Sequence, residues 1–254
     1  MNSNTAILPN SPPSPRAIRG ISSMATSALL AELCTAYTAQ TGQVVQIESV
    51  GGVDAAKRVA NYATTGEQFD VVFLASDAID KLIAAGHLQA GSRVDWVRSA
   101  VAVAIPENNV APDLAPDIST ASALKAAVIA APSISYSTGP SGNYLTQLFA
   151  RWGIDDLVNA KLLVPPPGVS VGSLLSSGKV ALGFQQMSEL MNVDGVQVLG
   201  ELPPEVAYVT TFSAGFGLGA DSARVRAFLA FLNAVENVGV KAGLGMSGFS
   251  PLYV

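Results

Sequence analysis

Small hydroxyl residues and glycines gather at four places where a strand-like run gives way to a helical one. These are Ser22-Ser23, Ser49-Val50-Gly51-Gly52, the segment from Thr138 to Tyr144 that contains Ser141-Gly142, and Gly168-Val169-Ser170. The first N–H groups of a helix have no intrahelical acceptor and carry partial positive charge. Several helix starts aimed at one point can therefore hold an anion without a basic residue. A single Ser or Gly at such a place is equally an N-cap or a tight turn, so recurrence at four junctions carries the argument. In open α/β sheets ligands lie beside the carboxyl ends of strands, where these junctions fall. The candidate ligand contacts are thus Ser22, Ser23, Gly51, Gly52, Ser141, Gly142, Val169 and Ser170.

Arg19 stands inside the apolar run Ala17 to Ser22. A charge there is costly unless it is paired or faces a ligand, so Arg19 either clamps a carboxylate or makes an internal ion pair with Asp70 or Asp77. Acid–base chemistry would have to come from Glu189, Glu48, Tyr136 or Asp77, although exposed surface carboxylates would read the same way. A nucleotide is not supported. Gly139-Pro140-Ser141-Gly142 is not followed by Lys-Ser/Thr, and no G-x-G-x-x-G opens the first helix.

Composition removes other classes. Cys34 is the only cysteine and His87 the only histidine, which rules out an intrachain disulfide, a cysteine-rich zinc site and any Ser-His or Cys-His triad built within one chain. Neither a metal nor a cofactor is expected. Cys34 falls on the apolar face of a helix and reads as core, and His87 follows Gly86 at a helix end, where capping or solvation suits it. The formal net charge is -5 and no Lys/Arg cluster occurs, so no nucleic-acid footprint exists. No window reaches the about 18 apolar residues needed to span a bilayer, so no membrane insertion is expected. Residues Met1 to Pro15 lack both a cationic start and an apolar run, and read as a disordered leader rather than a secretory signal. The expected location is cytoplasmic as written, or periplasmic if a signal has been removed, and a monomer is expected.

The elements that must position these residues follow from patterning. Of 254 residues 49% are apolar and 13% charged, a balance suited to a buried parallel sheet between close-packed helices. Strand-like runs occur at Ala17 to Ser22, Val44 to Val50, Asp70 to Ala75, Ala100 to Pro106, Ile134 to Ser137 and Val180 to Phe184, with helical patterns between them. Leu30, Leu33, Cys34 and Tyr37 recur at i, i+3, i+4, i+7, as do Leu145, Leu148, Phe149 and Trp152, and Val225, Phe228, Leu229 and Leu232. The apolar runs Ala100 to Pro106 and Tyr208 to Leu218 read as two crossings between lobes. One lobe then takes residues 16–98 plus 212–254 and the other 99–211, after a leader of residues 1–15.

Five segments carry a resemblance to a known family. SMATSALLAEL from Ser23, GEQFDVVFLASDAIDKL from Gly66, GPSGNY from Gly139, SSGKVALGF from Ser176, and the run from Val225 to Leu252 resemble the type II periplasmic solute-binding proteins, in the molybdate-binding-like branch. The resemblance covers nearly the whole chain after the leader. It implies a two-lobed α/β fold of the periplasmic-binding-protein type II, with two hinge-crossing strands and an oxyanion held by neutral donors. It places the family's first ligand serine on Ser23, its second serine-bearing loop on Gly51-Gly52, and the contacts of the other lobe near Ser141-Gly142 and Gly168-Val169-Ser170. Two departures follow. Glycines stand where molybdate binders present hydroxyls, and the tyrosine that closes their site falls on Gln186. The pair Gln185-Gln186, with Tyr136 and Arg19, suits a planar carboxylate, because amides and guanidinium offer paired donors; either glutamine is alternatively a structural hydrogen bond at the hinge.

Two functions compete. The first is a receptor for a small carboxylate or oxyanion, with a transporter permease as possible partner if the protein is exported. The second is an enzyme on the same scaffold, since this branch also resembles aconitate isomerase. A cleft that excludes water suits proton transfer beside a carboxylate, and Glu189 and Tyr136 are then the catalytic candidates. Fold alone does not separate them.

Overall fold

A computed structural model describes residues 16–107, 115–166 and 168–249. The expected leader, residues 1–15, lies outside the described residues. In chain order the elements are β1 (Ile18–Ser23), a 3-10 turn (Met24–Thr26), α1 (Ser27–Thr41), β2 (Val45–Val50), α2 (Gly52–Ala60), α3 (Tyr62–Thr65), β3 (Val71–Ala75) and α4 (Ser76–Ala84). A 13-residue strand follows, β4 (Val94–Pro106), then α5 (Ala121–Ala130), β5 (Ile134–Tyr136), α6 (Pro140–Arg151), α7 (Asp155–Asn159), α8 (Val171–Ser176), β6 (Leu182–Gln186), α9 (Met187–Leu190) and β7 (Val196–Glu201). The chain closes with β8 (Val209–Phe216), α10 (Ser222–Leu232), α11 (Val238–Gly243) and β9 (Ser247–Gly248).

The strands connect in the order β2-β1-β3-β8-β4-β6-β5, with β7 and β9 added on β4. β1 is parallel to β2 and β3, and β5 is parallel to β6, whereas β8 and β4 join antiparallel. β4 changes partner along its length. Val94 to Ala100 pair with β8, and Val101 to Ala104 pair with β6. The backbone returns from β7 to β8 through Leu202 to Tyr208, where the Val101 N–H donates to the Tyr208 carbonyl across 2.9 Å. The expected crossing Ala100 to Pro106 is therefore the second half of a strand that begins at Val94, and β7 adds a strand the sequence pattern had not indicated.

All five residues of β3 are buried, as a strand covered on both faces requires. On one face Phe73 packs with Trp96 and Phe228 beneath α1 and α10; on the other Val72 and Leu74 pack with Ile79 beneath α2 and α4. The second half of β4 has the same sandwich, with Val101 and Val103 facing α6 and Ala102 and Ala104 facing α8. The three stripes expected of helices lie in α1, α6 and α10. All their members are buried except Trp152, which packs half-buried against the core. Each large side chain so buried contributes about 1.5 to 3 kcal/mol of transfer free energy.

Candidate ligand site at the strand ends

β1 and β2 run side by side in parallel, with Ser22 opposite Ser49 and Ser23 opposite Val50, so both strands deliver their hydroxyl-bearing ends at the same level. The Ser22 and Ser49 hydroxyls are 2.7 Å apart, and Ser22 also donates to the Ser23 carbonyl. Ser22 is fully buried in this local network, so its hydroxyl is occupied holding the strand ends together. Ser23 differs. Its hydroxyl is buried and has no hydrogen-bond partner among the described residues, a condition that costs about 1 to 3 kcal/mol when nothing compensates it. Gly52, the first residue of α2, stands beside it, since a Cβ there would sit 3.5 Å from Ser23 Cβ.

Across the fold, Ser141 in the first turn of α6 is buried and shares a 2.8 Å hydrogen bond with Ser137. Gly142 is fixed by packing, because a Cβ would fall 1.6 Å from the Ser137 carbonyl oxygen. Ser170 caps α8 by accepting from the Ser173 N–H at 3.0 Å, and Val169 before it is exposed. For Ser170 the ordinary capping role is the one observed.

The two glutamines at the end of β6 part company. Gln185 lies opposite Ala102 and Gln186 opposite Val101, so alternation sends them to different faces of the sheet. Gln185 Nε2 donates to Glu189 Oε1 at 2.8 Å, and its Oε1 accepts from the Gly172 N–H at 3.2 Å. Both ends of that amide are occupied. Gln186 Nε2 donates to Thr210 Oγ1 at 2.6 Å, whereas its Oε1 is buried and has no partner among the described residues. Gln186 is also the N-cap residue of α9, and α9 packs against the 3-10 turn that Ser23 begins. Thr210 is a partner the sequence pattern gave no sign of; its place depends on the β4–β8 register, which sets it opposite Ser99.

Burial raises the Glu189 carboxyl to a pKa of about 7, against the lowering effect of the hydrogen bonds from Gln185 and the Gln186 backbone. Its side chain is reached from the α8 face. Tyr136 is on the other face, opposite Phe184 and packed against Phe149, with its hydroxyl accepting from Thr146 at 3.4 Å. Glu189 and Tyr136 therefore do not form a joint acid–base pair. Glu48 is exposed and bound to Arg58 at 2.6 Å, which engages it on the surface. Asp77 is exposed in the first turn of α4, where Lys81 lies 3.2 Å away. It also acts on Tyr208: burial raises the phenol pKa first, with charge repulsion from Asp77 and from the neighbouring Tyr144 phenol adding to it.

Arg19 requires correction. Its side chain is exposed and lines a groove of about 1190 Å³ along α1 and β2, whose lining contains neither Ser23, Gly52 nor any residue after Phe69. The partner of Asp70 is Arg16, at 2.5 Å, while Asp70 Oδ2 accepts from the Arg19 backbone N–H. The strand alternates Ile18 inward and Arg19 outward, which turns the charge to solvent. Among the described residues no group of His, Cys, Asp and Glu is arranged to hold a metal, and no helix is long and apolar enough to cross a membrane.

Residues 18–245 match the model of a family described as bacterial extracellular solute-binding protein. The chain belongs to that family. It is also 34% identical over 196 residues to an aconitate isomerase from Pseudomonas sp., a match covering 74% of this chain and 73% of that protein. Among solved structures it is similar to the periplasmic molybdate-binding protein of Azotobacter vinelandii, with a TM-score of 0.71 at 19% identity over 92% of this chain and 100% of that one. It is similar too to the substrate-binding protein of an ABC transporter from Agrobacterium tumefaciens, with a TM-score of 0.68 at 16% identity over 94% of this chain and 82% of that one. At such identities the likeness concerns the fold. The fold is the two-lobed periplasmic-binding-protein type II arrangement, with β4 pairing in both parts of the sheet.

Proposed function

We propose that the protein binds one small carboxylate anion between a lobe of residues 16–98 plus 212–254 and a lobe of residues 99–211. The observation that carries this is the Ser23 hydroxyl, buried and unpartnered at the carboxyl end of β1, where the chain turns toward α1. Gly52 beside it and Ser141 at the start of α6 supply backbone N–H groups from two further helix starts, so the anion is met by neutral donors. No cationic side chain is required. The family's description as extracellular favours the exported location, and a transporter permease is then the partner, in the manner of the Agrobacterium relative. A melting-temperature screen of di- and tricarboxylates against molybdate and sulfate tests the reading. A ligand at 100 times its dissociation constant adds about 2.7 kcal/mol, and the carboxylates are expected to give the larger rise. A rise with molybdate alone contradicts it.

A second reading, isomerisation of an unsaturated di- or tricarboxylate, rests on Glu189. A buried carboxyl with a pKa of about 7 takes up and releases protons near neutrality, as a general acid–base group must. The 34% identical aconitate isomerase gives this reading its substrate class. Glu189 would then act with no help from Tyr136.

A further inference from the structure

Gln185 is held at both ends, and one of its partners fixes which way its amide points. Gly172 is the second residue of α8, so its N–H has no acceptor within the helix, and a backbone N–H can only donate. It donates to Gln185 Oε1 at 3.2 Å. Turning the amide over would set Nε2 against that N–H, two donors face to face. Gly172 is buried and Gln185 is 4% exposed, so bulk water relieves neither. Nε2 is therefore left pointing at Glu189 Oε1, 2.8 Å away. Gln186 has no such lock, since its partner Thr210 presents a hydroxyl that donates or accepts.

The charged groups around α9 are engaged elsewhere. β4, β6, β7, α8 and the 3-10 turn Met24–Thr26 pack against α9, and β6, α8 and the 3-10 turn contain no charged residue. β4 contributes Asp95, bound to Arg93 and Ser213, and Arg98, which lies over the Phe249 ring. β7 contributes Glu201, which is exposed. What acts on the Glu189 carboxyl is burial, opposed by the hydrogen bonds from Gln185 and the Gln186 backbone.

Resting on the second reading, in which Glu189 exchanges protons, we infer that Gln185 is the positioning residue of Glu189: the start of α8 locks the Gln185 amide as a donor, and that donor holds the Glu189 carboxyl and favours its carboxylate form. A donor stabilises a carboxylate more than a neutral acid. Gln185 thus works against burial and keeps a share of Glu189 ionised near neutrality, as a base must be.

The test is carbon NMR of the full chain with labelled glutamate carboxyls, the Glu189 signal being the one that Glu189→Gln removes. Its midpoint in the wild-type protein is expected at about 7. In Gln185→Met, which keeps the length and loses the donor, it is expected about one pH unit higher. A lower midpoint in Gln185→Met would mean that the amide oxygen faces the carboxyl and accepts its proton, and an unchanged one that Gln185 only fills space; either overturns the inference. Should Gln185→Met fail to fold, the wild-type protein decides. Its Gln185 side-chain amide protons should shift with the Glu189 midpoint in proton–nitrogen NMR, and indifference to that midpoint overturns the lock. If the wild-type protein isomerises no unsaturated acid while the Gln185→Met midpoint rises, the second reading falls and the positioning of Glu189 by Gln185 stands.

Discussion

Gln185 Nε2 holds Glu189 Oε1 at 2.8 Å while the other end of the same amide holds the Gly172 N–H, so one side chain ties the buried carboxyl to the start of α8. Burial nevertheless dominates, and the Glu189 pKa of about 7 lies above its ordinary value of 4.5. An acid whose pKa is raised by folding keeps its proton in the native state after the unfolded chain has lost it. Stability from this group is therefore intact below about pH 4.5, falls as pH rises to about 7, and is constant above. The Glu189→Gln variant has no such penalty. Its melting temperature relative to wild type is expected to climb between pH 4.5 and 7 and then level off, the full effect being at most about 3 kcal/mol. A difference independent of pH would show that Glu189 is not perturbed.

Gly142 and Gly52 occupy similar places at the starts of α6 and α2, yet they should respond differently to an added side chain. A Cβ at Gly142 meets the Ser137 carbonyl oxygen at 1.6 Å, so Gly142→Ala must displace backbone and is expected to cost more than about 3 kcal/mol in denaturant unfolding. Gly52→Ser meets only Ser23 Cβ at 3.5 Å, an ordinary contact, and should fold normally. It places a second hydroxyl beside Ser23, and a molybdate affinity raised about tenfold over a weak wild-type value is the expected gain.

In the proposed reading the anion takes donors from both lobes, so closure is expected to accompany binding. Small-angle scattering with a saturating carboxylate should give a smaller radius of gyration than the free protein. An unchanged radius beside a confirmed tight ligand would contradict a site between the lobes.

Catalysis has its own signature. If Glu189 exchanges a proton with an unsaturated acid, incubation with cis- or trans-aconitate in deuterated water should give the other isomer or deuterium uptake by proton NMR. Glu189→Gln should abolish the exchange and preserve binding, and Tyr136→Phe should leave it unchanged, since Tyr136 faces away across the sheet. No conversion and no exchange, with binding intact, leaves a binding protein.

The helical stripes were legible because each places its large apolar residues on one face that the sheet then covers, as Leu30, Leu33 and Tyr37 do in α1. The first half of β4 was not, because Asp95, Arg98 and Ser99 interrupt its apolar run while the backbone continues unbroken to Pro106. The strand ends of the candidate site were readable from their Ser and Gly content, Ser23 and Gly52 among them. The roles of neighbouring side chains were not. Whether Gln185 or Gln186 has a free end depends on which sheet face each takes, and that is fixed by pairing with Ala102 and Val101, more than 80 residues away in the chain. Arg19 shows the converse: the outward turn of its side chain follows from strand alternation, and its apolar neighbours obscured it.

The central claim is that a small carboxylate sits against Ser23. Calorimetric titration of the wild-type protein and Ser23→Asp with the carboxylate that most raises the melting temperature tests it directly. An aspartate there sets a negative charge against the anion in a buried position, where like charges about 4 Å apart repel by several kcal/mol. Binding weakened by far more than tenfold, in a variant whose circular dichroism matches wild type, is the predicted result. Equal affinity of the two proteins would contradict the account and place the ligand elsewhere.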